Sequence, residues 1–474
     1  MPSPPRPGAA SLSGGALSRI RVGGSPSSIH VSVPHSDTFP PISPPARSPL
    51  PGMPATEEGY GNGGEGKQST CAEAGRVAAI AMGASPSPGS TVSSSQDDDG
   101  RHQVGSSIGQ LIVHSLVMAK GHHVRLVVAK IRDVASKCTA IDMSQLLNAF
   151  TNDIVCHVVS GKLFRERGHN KLFRELVDAN SLLLGGFNLE DYFPRLVPMD
   201  IIRRMVCAKA QKVNKMCDNL LNSIIDEHAR KSVPEHNNED NDFIDVLLSI
   251  QQEYKLTRDH IKAQLEIMFE TGIDTSFIVL EYAMVQLMQN PHLMNKLQAE
   301  VRSTITKGKE MVTEDDLDSL AYLKAVIKET LRLHMPGPLL VPHLSMADCN
   351  VNGYTIPSGI HVVINSWALA RDPRSWEHAD EFMPERFMEC GSAATMDYKG
   401  NDFSYLPFGT GRRICPGINF AIATIEIMLA NLIYHFNWNL PTELMEDGIS
   451  MTELFGMTVH RKEKLLLVPV VPRQ

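Results

Sequence analysis

The sequence predicts a mainly α fold (α+β) with a small β-sheet near its C-terminus, and two observations lead to this prediction. Long segments carry apolar residues at the three- and four-residue spacing that places them on one face of a helix. Short segments rich in β-branched residues occur only after residue 348, and glycine or proline bounds them. Most of the fold is therefore expected to be helical.

The composition is that of a large globular chain. Of its 474 residues, 42% are hydrophobic and 21% are charged. The net charge of −8 provides no basic field that would attract nucleic acid. The eight cysteines lack the paired spacing of a zinc module and are too few for a disulfide scaffold.

Residues 1–105 differ in composition from the rest of the chain. Fifteen of the 30 prolines lie in residues 1–100, where neither helical spacing nor alternation occurs. Such a segment buries too little apolar surface to offset its chain entropy, so we expect it to be disordered. No acidic residue precedes Asp37, and arginine, serine and alanine are common before it, which resembles a plastid transit peptide; an untargeted tail or a mis-assigned exon is the alternative. It contains no apolar run long enough to span a membrane.

Residues 106–474 are expected to form one domain. Glycine closes two of its helical segments, and Pro291 stops the longest one, which spans about thirty residues. The predicted helical segments are 124–137, 143–161, 171–186, 208–231, 258–290 and 418–436. The predicted β-like segments are 349–359, 360–369 and 464–471.

A cysteine motif directly precedes the last predicted helix. Residues 407–417, PFGTGRRICPG, fit the pattern F-x-x-G-x-R-x-C-x-G through Phe408, Gly411, Arg413, Cys415 and Gly417. Glycines let the backbone turn sharply and approach a large flat cofactor. A thiolate at a helix N-terminus is stabilised by the helix dipole and by unpaired N–H groups. These features are those that an axial thiolate ligand of heme iron requires.

On this motif, together with KETLR at 328–332 and PERF at 384–387, the chain resembles the cytochrome P450 family. The resemblance implies a heme-thiolate fold that binds heme b, with Cys415 as the axial ligand of the iron. It assigns the cofactor contacts to Phe408, Arg413, Cys415, Gly417 and His343.

The resemblance also implies a buried ion network behind the heme. Its members would be Glu329 and Arg332, one helical turn apart, and Arg386 of the PERF segment. Taken alone, a glutamate and an arginine at this spacing more often form a solvated surface pair. The order of all the motifs along the chain favours the network.

The long helix carries ETGIDTS, which resembles the oxygen-activating segment of the family. Asp274 and Thr275 would be the catalytic residues and would relay protons during dioxygen activation. Gly272 would open the helix groove for dioxygen, and Phe269 and Thr271 would join it in the substrate pocket. Thr271 departs from the family, which usually has alanine or glycine there, and so narrows the groove. A threonine within a helix often only donates a hydrogen bond to its own backbone, which is the alternative role for Thr275.

Two further segments would contribute to the substrate pocket by resemblance. Leu339, Leu340 and Val341 would line it, and His343 would reach a heme propionate beside the arginine of the cysteine motif. An ordinary surface histidine is an equal alternative for His343. Phe455 would be a pocket wall, or alternatively ordinary core.

The motif details are similar to those of plant A-type enzymes, in particular the grass indole and indolin-2-one monooxygenases of benzoxazinoid biosynthesis. This implies hydroxylation of a small apolar plant metabolite, aromatic or terpenoid-like, with O2. Electrons would come from NADPH–cytochrome P450 reductase, since no nucleotide-binding motif occurs in the chain. The endoplasmic reticulum membrane surface is the implied location, although the chain shows no transmembrane anchor; a plastid location stays open.

The resemblance covers about residues 115–474 and stops on the N-terminal side of the fold. We therefore expect the family's N-terminal elements to be missing. This leaves two alternatives beside the monooxygenase: an incomplete, inactive protein, and a heme-thiolate isomerase or dehydratase that acts on a peroxide. Asp274 and Thr275 argue against the second, because that chemistry needs no proton relay.

Overall fold

The computed structural model describes residues 120–166, 169–184, 200–230, 242–445, 448–454 and 456–472. The segment 1–105, for which the sequence predicts disorder, and Phe455 lie outside the described residues. Among the described residues, 343–362 belong to one compact unit and all the others to a second, larger unit.

Helices dominate the larger unit, and their bounds agree closely with the apolar periodicity. The helices are α1 (residues 120–136), α2 (Met143–Glu166), α3 (His169–Leu184), α4 (Asp200–Arg230), α5 (Phe243–Ser249), α6 (Arg258–Gln289), α7 (Pro291–Thr304), α8 (Glu314–Leu317), α9 (Ala321–Leu333), α10 (Ser366–Leu369) and α11 (Ile418–His435). The described ranges also contain three short 3₁₀ helices, Pro384–Phe387, Gly411–Arg413 and Thr442–Leu444.

The strands are short and form four small antiparallel arrangements. They are β1 (Ile141–Asp142), β2 (His343–Leu344), β3 (Cys349–Val351), β4 (Tyr354–Ile356), β5 (His361–Val362), β6 (Asn437–Asn439), β7 (Glu453–Leu454), β8 (His460–Arg461) and β9 (Leu466–Val470). In the larger unit, β9 pairs with both β1 and β6, and β7 pairs with β8. The smaller unit contains the pairs β2–β5 and β3–β4.

Helix α6 is the centre of the larger unit. Its N-terminus is closed by a capping box, in which the Thr257 hydroxyl accepts a hydrogen bond from the N–H of His260 at 3.2 Å. Every residue from 276 to 287 is buried, which is expected of a core helix that has neighbours on all sides. It packs against α2, α9 and α11. The helix ends before Pro291, which occupies the first turn of α7.

Helix α9 is held at its N-terminus by a side chain from α7. The Glu300 carboxylate accepts hydrogen bonds from the N–H groups of Tyr322 at 2.7 Å and Leu323 at 2.9 Å. These are donors that the first turn of a helix leaves without an intrahelical partner. Glu300 therefore fixes the start of the helix that carries the KETLR segment.

Helix α11 is both apolar and largely enclosed. Among the described residues it is the one helix long and apolar enough to cross a membrane, but half of its apolar window is buried inside the protein. Asn431, fully buried in this helix, accepts from the N–H of Val312 at 3.0 Å and donates to its carbonyl at 3.1 Å. Packing within the core therefore accounts for much of its apolar surface.

The prediction of a mainly helical fold with small sheets is confirmed, and the structure differs from it in detail. The segment 360–369, expected to be a strand, is extended only at His361–Val362 and then becomes α10. The Asn365 side chain causes the change by accepting from the N–H of Ala368 at 3.0 Å, a helix N-cap. Helix α2 passes through Gly161, where the sequence predicts its end, but its backbone leaves helical geometry at Ser160 and Gly161.

Candidate active site around Cys415

Cys415 lies in a tight loop immediately before α11. Its N–H donates to the carbonyl of Phe408 at 2.9 Å, which closes the loop around the 3₁₀ turn Gly411–Arg413. Gly411 has a φ of +69°, and no atom lies within 4 Å of the position that a Cβ would occupy. Glycine at this position thus permits the turn and leaves open space beside the loop.

Two opposing effects act on the Cys415 thiol. Burial raises its pKa, and a hydrogen bond from the N–H of Gly417 lowers it, so that the pKa is raised overall. The hydrogen bond at the helix N-terminus therefore favours the thiolate, as expected, but burial opposes it. A cation next to the sulfur would reverse the balance, because a metal-bound thiol is deprotonated.

Arg413 gives the loop a second recognition group. Its guanidinium is exposed and forms no hydrogen bond or ion pair within the described part of the chain. Phe408 begins the loop, and its ring packs edge-on against Tyr398 at a centroid distance of 5.8 Å. The loop thus presents a sulfur and a cation on one short stretch of backbone.

The predicted ion network is present and fully buried. Glu329 accepts from Arg332 at both carboxylate oxygens, each at 2.8 Å, and from Nε of Arg386 at 3.1 Å. Its Oε1 also accepts from the N–H of Met383 at 2.8 Å. One carboxylate therefore links α9 to the chain segment that contains PERF.

The remaining guanidinium N–H groups bind backbone carbonyls. Arg332 and Arg386 donate to the carbonyl oxygens of Ala370, Glu377, His378, Ala379 and Glu381. Buried charges are tolerated when they are paired and hydrogen-bonded in this way. The network consequently immobilises residues 370–386 on α9.

An aromatic cluster connects the network to the cysteine loop. The Arg332 guanidinium lies over the ring of Trp376 at 5.0 Å, and Trp376 donates its indole N–H to the carbonyl of Ser404 at 3.3 Å. Tyr405, fully buried, donates to the carbonyl of Lys328 at 3.0 Å. The chain enters the cysteine motif two residues later, so its starting point is fixed by these contacts.

The two predicted catalytic residues on α6 have different partners. Asp274 is buried, and its Oδ2 lies 3.3 Å from Nε2 of His460 in β8. The Thr275 hydroxyl donates to the carbonyl of Thr271 at 2.7 Å, and Thr271 in turn donates to that of Ile267 at 2.8 Å. Thr275 therefore makes the backbone hydrogen bond that sequence reasoning gave as its alternative role.

Two residues assigned to the substrate pocket, Phe269 and Gly272, pack against neighbouring helices. Phe269 is fully buried, and its ring lies 4.0 Å from that of Phe173. A Cβ added to Gly272 would lie 3.2 Å from Val155 of α2, so this glycine permits close approach of two helices. Helix packing thus explains both positions, whereas Thr271 is exposed.

The loop before β2 approaches the cysteine loop. The Leu340 Cδ1 lies 3.9 Å from the position of a Cβ on Gly409. Leu340 adopts a φ of +52°, a conformation that is rare outside glycine and is often found at functional sites. Leu339 and Val341 on either side are exposed. His343 is exposed in β2 of the smaller unit.

A buried histidine and two aspartates form another polar cluster, away from the predicted site. The ligand atoms of His228, Asp242 and Asp245 lie within 4.8 Å of one another. Asp242 accepts from His228 at 2.8 Å and from the N–H groups that begin α5 at 3.0 and 3.1 Å. Burial lowers the pKa of His228, but Asp242 outweighs it and the pKa is raised. The cluster therefore serves to cap α5 and join it to α4.

Comparisons with known proteins agree with this geometry. The cytochrome P450 family model matches residues 119–468. The chain belongs to the cytochrome P450 family. It is 51% identical to the 3-hydroxyindolin-2-one monooxygenase of Zea mays, over 76% of this chain and 68% of that protein. It is 53% identical to the indole-2-monooxygenase of Zea mays, over 75% and 66%.

The fold is also found in solved structures. A zebrafish cytochrome P450 with progesterone superposes with a TM-score of 0.64 at 20% identity, covering 86% of this chain and 83% of that one. The predicted family, fold, heme cofactor and monooxygenase class are confirmed. The chain spans about two thirds of the length of the curated relatives it matches.

The residues around Cys415 fit a heme. One sulfur donor is available at the N-terminus of α11, the space beside Gly411 is open, and the Arg413 guanidinium is unpaired among the described residues. Heme carries two propionates, which a guanidinium recognises by charge-assisted hydrogen bonds. We infer that Cys415 holds the iron and that Arg413 contacts a propionate.

Replacing Glu329 by glutamine should strongly destabilise the chain. The neutral amide would leave two buried guanidinium groups without their counter-charge, a change that typically costs about 3–5 kcal/mol. Urea unfolding followed by circular dichroism measures the loss. Arg374→Ala is the control, since it removes an exposed ion pair with Asp372 and should leave the midpoint unchanged. Equal midpoints for Glu329→Gln and the native chain would contradict the role of the network.

Proposed function

We propose that the chain hydroxylates a small apolar aromatic compound, using dioxygen and electrons from NADPH–cytochrome P450 reductase. The single observation that carries this proposal is the Cys415 loop, whose preceding segment is anchored by the Glu329 network, in a chain that belongs to the P450 family. The names of two relatives, an indole-2-monooxygenase and a 3-hydroxyindolin-2-one monooxygenase, support an aromatic substrate. A terpenoid-like substrate is the second class that fits an apolar site.

The residues around Cys415 have different roles in binding heme and substrate. Heme, when bound, supplies the iron that activates dioxygen. Cys415 donates the sulfur ligand, and the N–H of Gly417 donates a hydrogen bond to that sulfur. Arg413 orients the macrocycle through a propionate. Leu340, whose side chain approaches the cysteine loop, and its exposed neighbours contribute apolar contacts to the substrate.

Asp274 and Thr275 deliver protons during the reaction. Hydroxylation by dioxygen consumes two electrons and two protons, and it yields the alcohol and water. The Thr275 hydroxyl donates its own hydrogen to the Thr271 carbonyl, so its oxygen lone pairs remain available to accept a proton donor. Asp274 at the neighbouring position supplies a carboxylate that binds and releases protons.

Family membership supports the proposed electron donor and the proposed location. Two electrons must come from a redox partner, and we propose the NADPH-dependent reductase in this role. The membrane surface of the endoplasmic reticulum is the proposed location. Whether residues 1–105 direct the chain elsewhere, such as to a plastid, is tested by imaging a fluorescent fusion.

Replacing Cys415 by serine should remove the sulfur ligand and abolish product formation. A serine hydroxyl does not provide the soft thiolate that this heme chemistry uses. Absorption of the ferric protein and hydroxylation of indole or indolin-2-one with reductase measure the two effects. Cys390→Ser is the control, because Cys390 is an exposed cysteine outside the cysteine motif, and it should change neither. A Cys415→Ser protein with native absorption would overturn the ligand assignment.

Replacing Thr275 by alanine should uncouple electron consumption from product. Without the hydroxyl, protons are delivered to oxygen less selectively and peroxide is released. The measurement is the ratio of hydrogen peroxide to hydroxylated product per NADPH, which should rise severalfold. Thr304→Ala, an exposed position at the end of α7, should keep the native ratio. If Thr275→Ala also keeps the native ratio of peroxide to product, the Thr275 hydroxyl has only a structural role within the helix.

A further inference from the structure

The carboxylate of Asp274 has one side-chain partner among the described residues, and that partner comes from the C-terminal hairpin. Nε2 of His460 lies 3.3 Å from Oδ2 of Asp274. The two residues are 186 positions apart in sequence, and the pairing cannot be seen in the motif that contains Asp274. The contact links the predicted proton-relay segment of α6 to β8.

The environment makes this contact important for the carboxylate. The Asp274 side chain is 6% exposed, and a carboxylate removed from water is costly unless it is paired. The His460 side chain is 29% exposed, so the partner of the buried carboxylate is itself in contact with solvent. An imidazole gains or loses its charge near neutral pH, which suits it to partner a group that exchanges protons.

Other contacts fix the imidazole in place. The Thr458 hydroxyl lies 3.0 Å from the same Nε2, and the ring of Phe277 lies 6.2 Å from the imidazole. When Nε2 carries a proton it faces the Asp274 carboxylate as a donor, and when it does not it accepts from Thr458. The neighbouring Arg461 lies 3.6 Å from Glu281, two turns further along α6. The hairpin therefore keeps a second attachment to α6 when His460 is replaced.

We propose that His460 is a positioning residue for the reaction: it holds the Asp274 carboxylate in the orientation in which it exchanges protons with Thr275. The inference rests on the proposed function, since it gives the proton-relay carboxylate its partner. Its physical basis is the Asp274–His460 contact together with the absence of another side-chain partner for Asp274 in the described ranges.

The first test compares variants at position 460 in the reconstituted holoenzyme with reductase. His460→Ala should raise the ratio of peroxide to product severalfold, toward that of Asp274→Asn, while leaving the substrate KM near native. His460→Gln should restore coupling, because the glutamine amide offers an N–H donor in a similar place. His292→Ala, an exposed histidine in α7, is the matched control and should be native-like.

The double variant Asp274→Asn/His460→Ala should be no more uncoupled than Asp274→Asn alone, because the two residues act through one carboxylate. Additive effects, or native coupling in His460→Ala, would overturn the proposal.

A second test does not depend on turnover. The ¹⁵N resonances of the His460 imidazole, assigned by their loss in His460→Gln, should shift in the reduced carbon monoxide complex when Asp274 becomes asparagine. Unchanged resonances would mean that the two side chains do not interact, which also overturns the proposal. This readout needs no substrate, so a failure to hydroxylate indole would count against the proposed function and leave this inference separately testable.

Discussion

The Glu329 carboxylate is the interaction on which the rest of the site depends. It is shared by two buried guanidinium groups, from Arg332 on its own helix and Arg386 some fifty residues later. Charges of this kind are stable in the interior only when every donor and acceptor is satisfied, and here the surplus N–H groups bind backbone carbonyls. The result is a rigid connection between α9 and the segment that leads to the cysteine loop.

The Cys415 loop and the helix that carries Asp274 are stabilised by different interactions. The Cys415 side is a loop with little regular structure, and buried ion pairs, Trp376 and Tyr405 hold its entry in place. The segment with Asp274 belongs to one long helix whose C-terminal half is enclosed by core residues. Burial raises the pKa of the Cys415 thiol, whereas a cation at the sulfur would favour the thiolate.

Much of this arrangement could be predicted from the sequence, because the signals are local. In the sequence, helix α6 is an apolar segment that ends before Pro291, and the cysteine motif indicates which residues form the turn and which is the candidate ligand. Glu329 and Arg332 lie one helical turn apart, so their meeting follows from helix geometry. Arg386 was placed with them by family resemblance.

The parts that sequence reasoning missed depend on contacts between distant segments. No local pattern indicates that His460 reaches Asp274, or that Phe269 packs against Phe173. The motif predicts that Gly272 opens a groove for dioxygen, and it does not show that Val155 of the neighbouring helix lies close to this glycine. The α10 helix replaces a predicted strand because the Asn365 side chain captures a backbone N–H, an outcome that β-branched content does not reveal.

We propose that Cys415, in the loop that the Glu329 network supports, binds heme iron as a thiolate. The most direct measurement is the carbon monoxide difference spectrum of the reduced native chain, expressed with a heme supply and compared with its total heme content. A thiolate-type Soret band that accounts for the bound heme is the expected result. Bound heme that shows only the band of a lost thiolate, or a folded chain that retains no heme, would contradict the claim.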